Sequence, residues 1–225
     1  MTESEAREIV RAAGVELVET GLVEGTWGNV SVRVTADLVA ITPSGRDYLA
    51  LKAEDIVLVD ARTGAPIESP RGEPRGGKPS TETPMHLAFY RERPELGAIV
   101  HTHSMSAATV AAARREVPPV LDDFAQIVGP SLRCADYALP GSSSMARRSV
   151  AAMRGRMAVL LANHGAVAAG RDMREALLCA RMVEKGCRVF IEAQFLGGAV
   201  PLAPLEAWAM HKVFLAKYSK QEPAR

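Results

Sequence analysis

A chain of 225 residues that is 48% hydrophobic and 24% charged has an ordinary globular composition and enough length to bury a sizeable core. Its net charge of +1 argues against nucleic acid or a membrane surface as the main partner, and no apolar run approaches the roughly 18 residues of a membrane span. The polar, acidic start from Thr2 to Arg7 is not a signal peptide, and the widely spaced Cys134, Cys179 and Cys187 read as free thiols of a reducing cytoplasm rather than a disulfide framework.

Thr2 with Glu5 is a capping box, and Ile9, Val10, Ala13 and Leu17 follow at helical spacing until Gly21. Val30 to Val32, Leu38 to Ile41 and Ile56 to Val59 read as strands. Residues 62 to 79, rich in Gly, Pro and Arg, read as a loop. A helix begins near Glu82, tolerates Pro84 in its first turn and stops at Pro94. Residues 98 to 102 read as a strand, after which Ser104 caps a short Ala-rich helix. Weaker strand patterns cover Val117 to Leu121 and Ser131 to Cys134; Ser142 starts a helix, and Met157 to Ala162 is a strand. Asp172 with Glu175 opens a long amphipathic helix whose stripe is Met173, Ala176, Leu177, Ala180, Val183, Cys187 and Phe190, a core face closed off by Gly197-Gly198. The last helix runs from about Pro204 to Tyr218. Helical and strand signals alternate to the end without repeat or boundary, so residues 1 to 225 are expected to form a single α/β domain.

Three of the five histidines fall at strand ends. His101 and His103 follow the apolar run Ala98-Ile99-Val100, and positions i and i+2 of a strand share a face, so two imidazoles can grip one metal ion. His164 follows the run Met157 to Ala162. Three histidines plus an open position is the donor set of a catalytic zinc site, with Glu82 as the carboxylate that moves a proton. His86 reads as structural; His211 is left open. Gly25 to Asn29, Thr42 to Gly45 and Lys78 to Thr81 are polar turns that offer backbone N–H groups beside small hydroxyl or amide side chains, a suitable cradle for an anion.

These segments together resemble one family. Gly25-Thr26-Trp27-Gly28-Asn29-Val30-Ser31-Val32-Arg33, Ile41-Thr42-Pro43-Ser44-Gly45, Pro79-Ser80-Thr81-Glu82, Val100-His101-Thr102-His103-Ser104 and Asn163-His164-Gly165 occur in the order and spacing of the class II aldolase/adducin family, most closely its fuculose-1-phosphate aldolase-like enzymes, over roughly residues 5 to 200. The resemblance implies a central, mostly antiparallel β-sheet flanked by helices and a cytoplasmic homotetramer. It implies zinc, or manganese or cobalt, on His101, His103 and His164, with Glu82 as resting ligand and acid/base. It implies a substrate phosphate among Gly28, Asn29, Ser44, Gly45, Ser80 and Thr81. The implied reaction is reversible cleavage of a ketose 1-phosphate into dihydroxyacetone phosphate and an aldehyde.

The aldehyde half departs from the pattern. Where the fuculose-type enzymes carry a tyrosine that handles the aldehyde oxygen, the matching position here is Asp122, and a phenylalanine of the aldehyde pocket is matched by Pro140. Tyr218 is the only tyrosine of the C-terminal segment to fill a further tyrosine's place. An aldehyde other than L-lactaldehyde is therefore expected. The alternative on the same scaffold is a metal-dependent sugar-phosphate epimerase, dehydratase or decarboxylase. A structural role like that of the adducin head, which lacks the metal site, is disfavoured because all three histidines and Glu82 are present. An unrelated His-x-His metal protein leaves the anion turns unexplained.

Overall fold

A computed structural model describes residues 1–68 and 76–217, so part of the Gly- and Pro-rich loop and Tyr218 lie outside the described residues. Among the described residues seven strands form one sheet: β1 (Asn29–Arg33), β2 (Leu38–Ile41), β3 (Val57–Asp60), β4 (Ala98–Thr102), β5 (Cys134–Ala135), β6 (Ala158–Leu161) and β7 (Gly165–Gly170). Their order is β3-β2-β1-β4-β7-β6-β5. Every neighbouring pair is antiparallel except β5 with β6. The middle strand, β4, is buried at every residue, which matches its continuous apolar run. It ends on His101 and Thr102, paired with β1 on one side and β7 on the other.

The helices are α1 (Glu3–Glu19), α2 (Thr83–Glu92), α3 (Met105–Ala112), α4 (Asp122–Ile127), α5 (Ser143–Met153), α6 (Met173–Ala193) and α7 (Pro204–Lys217). The Thr2–Glu5 capping box forms, and Ser142 and Asp172 cap α5 and α6 through their side chains. Six of the seven residues of the α6 stripe are buried, with Phe190 packed partly against the core. Helix α6 lies on β4 and β7 and also braces α3. Glu184 of α6 accepts the backbone N–H groups of Ser106 and Ala107 at 2.9 and 3.0 Å, so the first turn of α3 is capped from another helix rather than by Ser104. That clamp fixes the chain just after His103.

Two expectations are corrected. No strand spans 117–121 or 131–134: Val117 and Leu132 share only an isolated bridge, and the strand that forms is the two-residue β5. Pro118 and Pro119 deprive this stretch of ladder donors. Beyond them Leu121 to Phe124 turns into α4, whose Asp122 and Asp123 favour the helix N-terminus. The pattern missed β7 as well. Its sequence, Gly-Ala-Val-Ala-Ala-Gly, has a single β-branched residue, yet all six residues are buried between β4 and β6. Small residues are required here because a Cβ on Gly165 would stand 2.2 Å from the Thr102 carbonyl oxygen. Gly165→Ala is expected to force β7 off β4 and destabilise the fold by about 3 kcal/mol, read as a lower denaturation midpoint. An unchanged midpoint would show that the β4–β7 contact yields without cost.

Candidate active site

The floor of the site is assembled from three places in the chain. His101 is the fourth residue of β4 and His103 lies one residue past the strand's end. His164 sits in the tight connection between β6 and β7, which turns through Asn163 in the left-handed region at φ 56°. Arg114 donates to the Asn163 side-chain oxygen at 3.0 Å and steadies that turn. Glu82 occupies the position just before α2. The histidine ligand atoms lie within 4.8 Å of one another. His101 Nε2 is 2.9 Å from His103 Nε2 and 3.1 Å from Glu82 Oε2, and His164 Nε2 is 3.4 Å from Glu82 Oε1.

Donor chemistry and protonation both fit a cation. His101 Nδ1 donates to the Ala166 carbonyl at 2.9 Å, which fixes the ring and turns its Nε2 to the centre. Burial pushes the His103 imidazole down to about 3 and the His164 imidazole down to about 4, with the neighbouring His101 adding to both, so each is a neutral donor at pH 7. For Glu82, burial acts to raise the carboxyl, but His101, the Asn29 amide and His164 outweigh it and hold the group below the usual carboxylate range. Glu82 Oε1 and His164 Nδ1 are buried without a hydrogen-bond partner. Three imidazoles, a carboxylate and an orphaned buried oxygen make a set that a first-row divalent cation satisfies.

The three polar turns stand around this floor. Ser44 N–H donates to the Lys78 carbonyl at 3.0 Å and Ser80 N–H to the Thr42 carbonyl at 3.1 Å, so the second and third turns are stitched together. The first is anchored by Tyr48, whose hydroxyl donates to the Gly28 carbonyl at 2.7 Å. Gly28 has φ 84°, and a Cβ there would lie 2.6 Å from the His101 carbonyl oxygen, so only glycine lets this turn close over β4. Together the turns and the floor line a cavity of about 370 Å³. Every residue expected to meet a phosphate borders it: Gly28, Asn29, Ser44, Gly45, Ser80 and Thr81. Glu82, His103 and His164 border it too, while His101 is fully buried beneath them. Ser80 Oγ also accepts the Glu82 N–H at 3.2 Å, tying the anion turn to the carboxylate.

Other expected residues do not converge. Asp122 is exposed in the first turn of α4 and does not border the cavity of its own chain; the adjacent Asp123 pairs with Lys185 at 2.5 Å. Pro140 does border the cavity, as do Thr26 and Trp27 of the first polar turn, which were not among the residues expected to meet the phosphate. The Trp27 ring is 67% exposed, with its centroid 5.8 Å from that of His103. His211, left open above, is buried and donates through Nδ1 to the Gln126 carbonyl at 2.8 Å, which docks α7 on α4.

Comparison with known proteins agrees with this architecture. Residues 8–191 match the Class II Aldolase and Adducin N-terminal domain. The 5-deoxy-D-ribulose 1-phosphate aldolase of Bacillus thuringiensis serovar kurstaki is 38% identical over 198 residues, 88% of this chain and 89% of that protein. The 5-methylthioribulose-1-phosphate/5-deoxyribulose-1-phosphate aldolase of Rhodospirillum rubrum is 38% identical over 174 residues, 77% of this chain and 74% of its own length. A solved L-fuculose 1-phosphate aldolase superimposes with a TM-score of 0.87 at 35% identity, covering 96% of this chain and 98% of that one. With the sheet order, the histidine cluster and the stitched turns in place, the chain belongs to the class II aldolase family.

Proposed function

We propose that the protein is a divalent-metal-dependent aldolase that reversibly cleaves a ketose 1-phosphate into dihydroxyacetone phosphate and an aldehyde. The observation that carries this reading is the meeting of Glu82 with three histidines at the floor of a cavity walled by amide- and hydroxyl-rich turns. The aldolases named above act on sugar 1-phosphates, which supports the substrate class.

The phosphate sits among Gly28, Asn29, Ser44, Gly45, Ser80 and Thr81, remote from the bond that breaks, and orients the substrate. His101, His103, His164 and Glu82 would hold zinc, or manganese or cobalt, and such an ion would supply Lewis-acid charge for the anion that cleavage leaves. Cleavage between the third and fourth carbons passes the proton of the fourth-carbon hydroxyl to solvent, leaving an aldehyde, and puts the bond's electron pair on the three-carbon fragment. Glu82 takes up a proton from solvent and delivers it to the third carbon, or removes it from that carbon in the reverse direction. Trp27 and Pro140 give the cavity rim an apolar wall, which suits an aldehyde whose far end is poor in hydroxyls. A part for Asp122 in the aldehyde half requires its delivery by a neighbouring subunit, and the reading includes a homotetramer in the cytoplasm.

The test is solvent deuterium exchange into dihydroxyacetone phosphate, followed by NMR. Label is expected to enter with the metal-loaded protein, to stop after chelation and to return when metal is restored. Metal-loaded protein that leaves the ketone unlabelled, with and without an aldehyde present, overturns the reading.

A further inference from the structure

The motif residues leave one buried group unexplained. His86 is fully buried on α2, and both of its ring nitrogens are engaged. Its Nε2 is 2.6 Å from Asn29 Oδ1 and its Nδ1 is 2.7 Å from Ser31 Oγ. Asn29 Nδ2 in turn donates to Glu82 Oε2 at 2.8 Å, and Ser31 Oγ lies 2.9 Å from the Tyr90 hydroxyl. Beyond Tyr90 the Arg33 guanidinium stacks 4.6 Å from the ring centroid.

The sequence spacing produces this chain. Residues 29, 31 and 33 project from one face of β1, about 6.7 Å apart. Glu82, at the N-cap of α2, and His86 and Tyr90 within it recur every fourth position, about 6 Å apart. The two repeats nearly match, so helix and strand side chains interleave in the order Glu82, Asn29, His86, Ser31, Tyr90, Arg33.

Each link has one possible direction. An ionised Glu82 only accepts, so the Asn29 amide nitrogen must face it. The amide's other end is then an oxygen, which requires a proton on His86 Nε2. In the neutral ring that leaves Nδ1 bare, so Ser31 donates to it, and Tyr90 donates to Ser31. Turning the Asn29 amide over would set its oxygen against the carboxylate and its N–H groups against the His86 N–H. A leucine would fill the same space, but burying an imidazole is favourable only when both nitrogens are satisfied.

We infer that His86 is a positioning residue: through a directed hydrogen-bond chain from Tyr90 and Ser31 it locks the Asn29 amide and so holds Glu82 in its working orientation. The inference rests on the proposed role of Glu82 as the group that moves the proton.

Two measurements test it. Nitrogen-15 NMR of the histidine rings reports the chain's direction without reference to activity. His86, assigned from the spectrum of His86→Gln, is expected as the neutral Nε2–H tautomer; an Nδ1–H tautomer overturns the inference. The second compares His86→Leu with His86→Gln, whose amide can both donate to Asn29 and accept from Ser31. His86→Leu is expected to lower kcat for proton exchange on dihydroxyacetone phosphate about 10-fold or more at unchanged KM and metal content. His86→Gln should recover most of that rate even where both variants melt at the same lower temperature. An unchanged rate in His86→Leu, or equal losses in both variants, overturns the inference. Silence of the wild-type protein in the exchange assay counts against the aldolase reading instead, and the tautomer still decides the direction of the chain.

Discussion

Glu82→Gln is expected to lower the rate of proton exchange on dihydroxyacetone phosphate by about 1,000-fold while leaving metal content and ketone affinity nearly intact. Glutamine has the shape of the glutamate, and its oxygen still accepts from Asn29, whose amide donates at 2.8 Å in the native chain. It cannot take a proton from carbon. Interactions with His101, the Asn29 amide and His164 outweigh burial and favour the native carboxylate, so the substitution should cost the apo fold modest stability without unfolding it. Single-turnover exchange and metal analysis on one preparation separate the outcomes. Exchange that survives at more than about a tenth of the native rate removes Glu82 as the base. Loss of metal along with exchange makes it first a ligand.

Much of this arrangement was legible in the sequence because it is written in short-range signals. The three turns carry Gly, Pro, Ser and Asn at positions that favour turns, and His101 and His103 follow an unbroken apolar run. What the sequence hid depends on contacts between distant segments. Strand β7 has the composition of a linker, and it is a strand because β4 and β6 supply ladder partners on both sides. Helix α4 has no side-chain cap and forms where its Phe124 seats on Gly186 of α6, a glycine whose added Cβ would meet that ring at 2.3 Å. The role of His86 was hidden for a related reason. Its meaning lies in the near match of a four-residue helical repeat to a two-residue strand repeat, and neither repeat is informative without its partner. Asp122 marks another limit: an aligned position does not say which surface it joins, and in this chain it is exposed and does not border the cavity.

His103→Ala is expected to weaken metal binding by about 100- to 1,000-fold and to do so without unfolding the chain. Apparent zinc affinities of about 10–16 kcal/mol, shared over four ligands, amount to roughly 2.5–4 kcal/mol for each. The three histidines differ in what else they do. His101 is fully buried and donates to the Ala166 carbonyl, so its loss removes a ligand and a β4–β7 tie together. His164 shapes the connection between β6 and β7. His103 lies past the end of β4, is only partly buried, and among the described residues its hydrogen-bond-range neighbour is the Nε2 of His101 at 2.9 Å. Removing His103 therefore costs the apo protein no more than this one partly exposed hydrogen bond while weakening the loaded one. Melting of the variant should therefore lose most of the rise that added metal gives the native protein, because ligand stabilisation scales with the logarithm of concentration over Kd. The apo melting temperature should be unchanged or slightly lower. Chelator competition gives the affinity directly, and a variant that retains full metal through the same competition as the native protein takes His103 out of the ligand set.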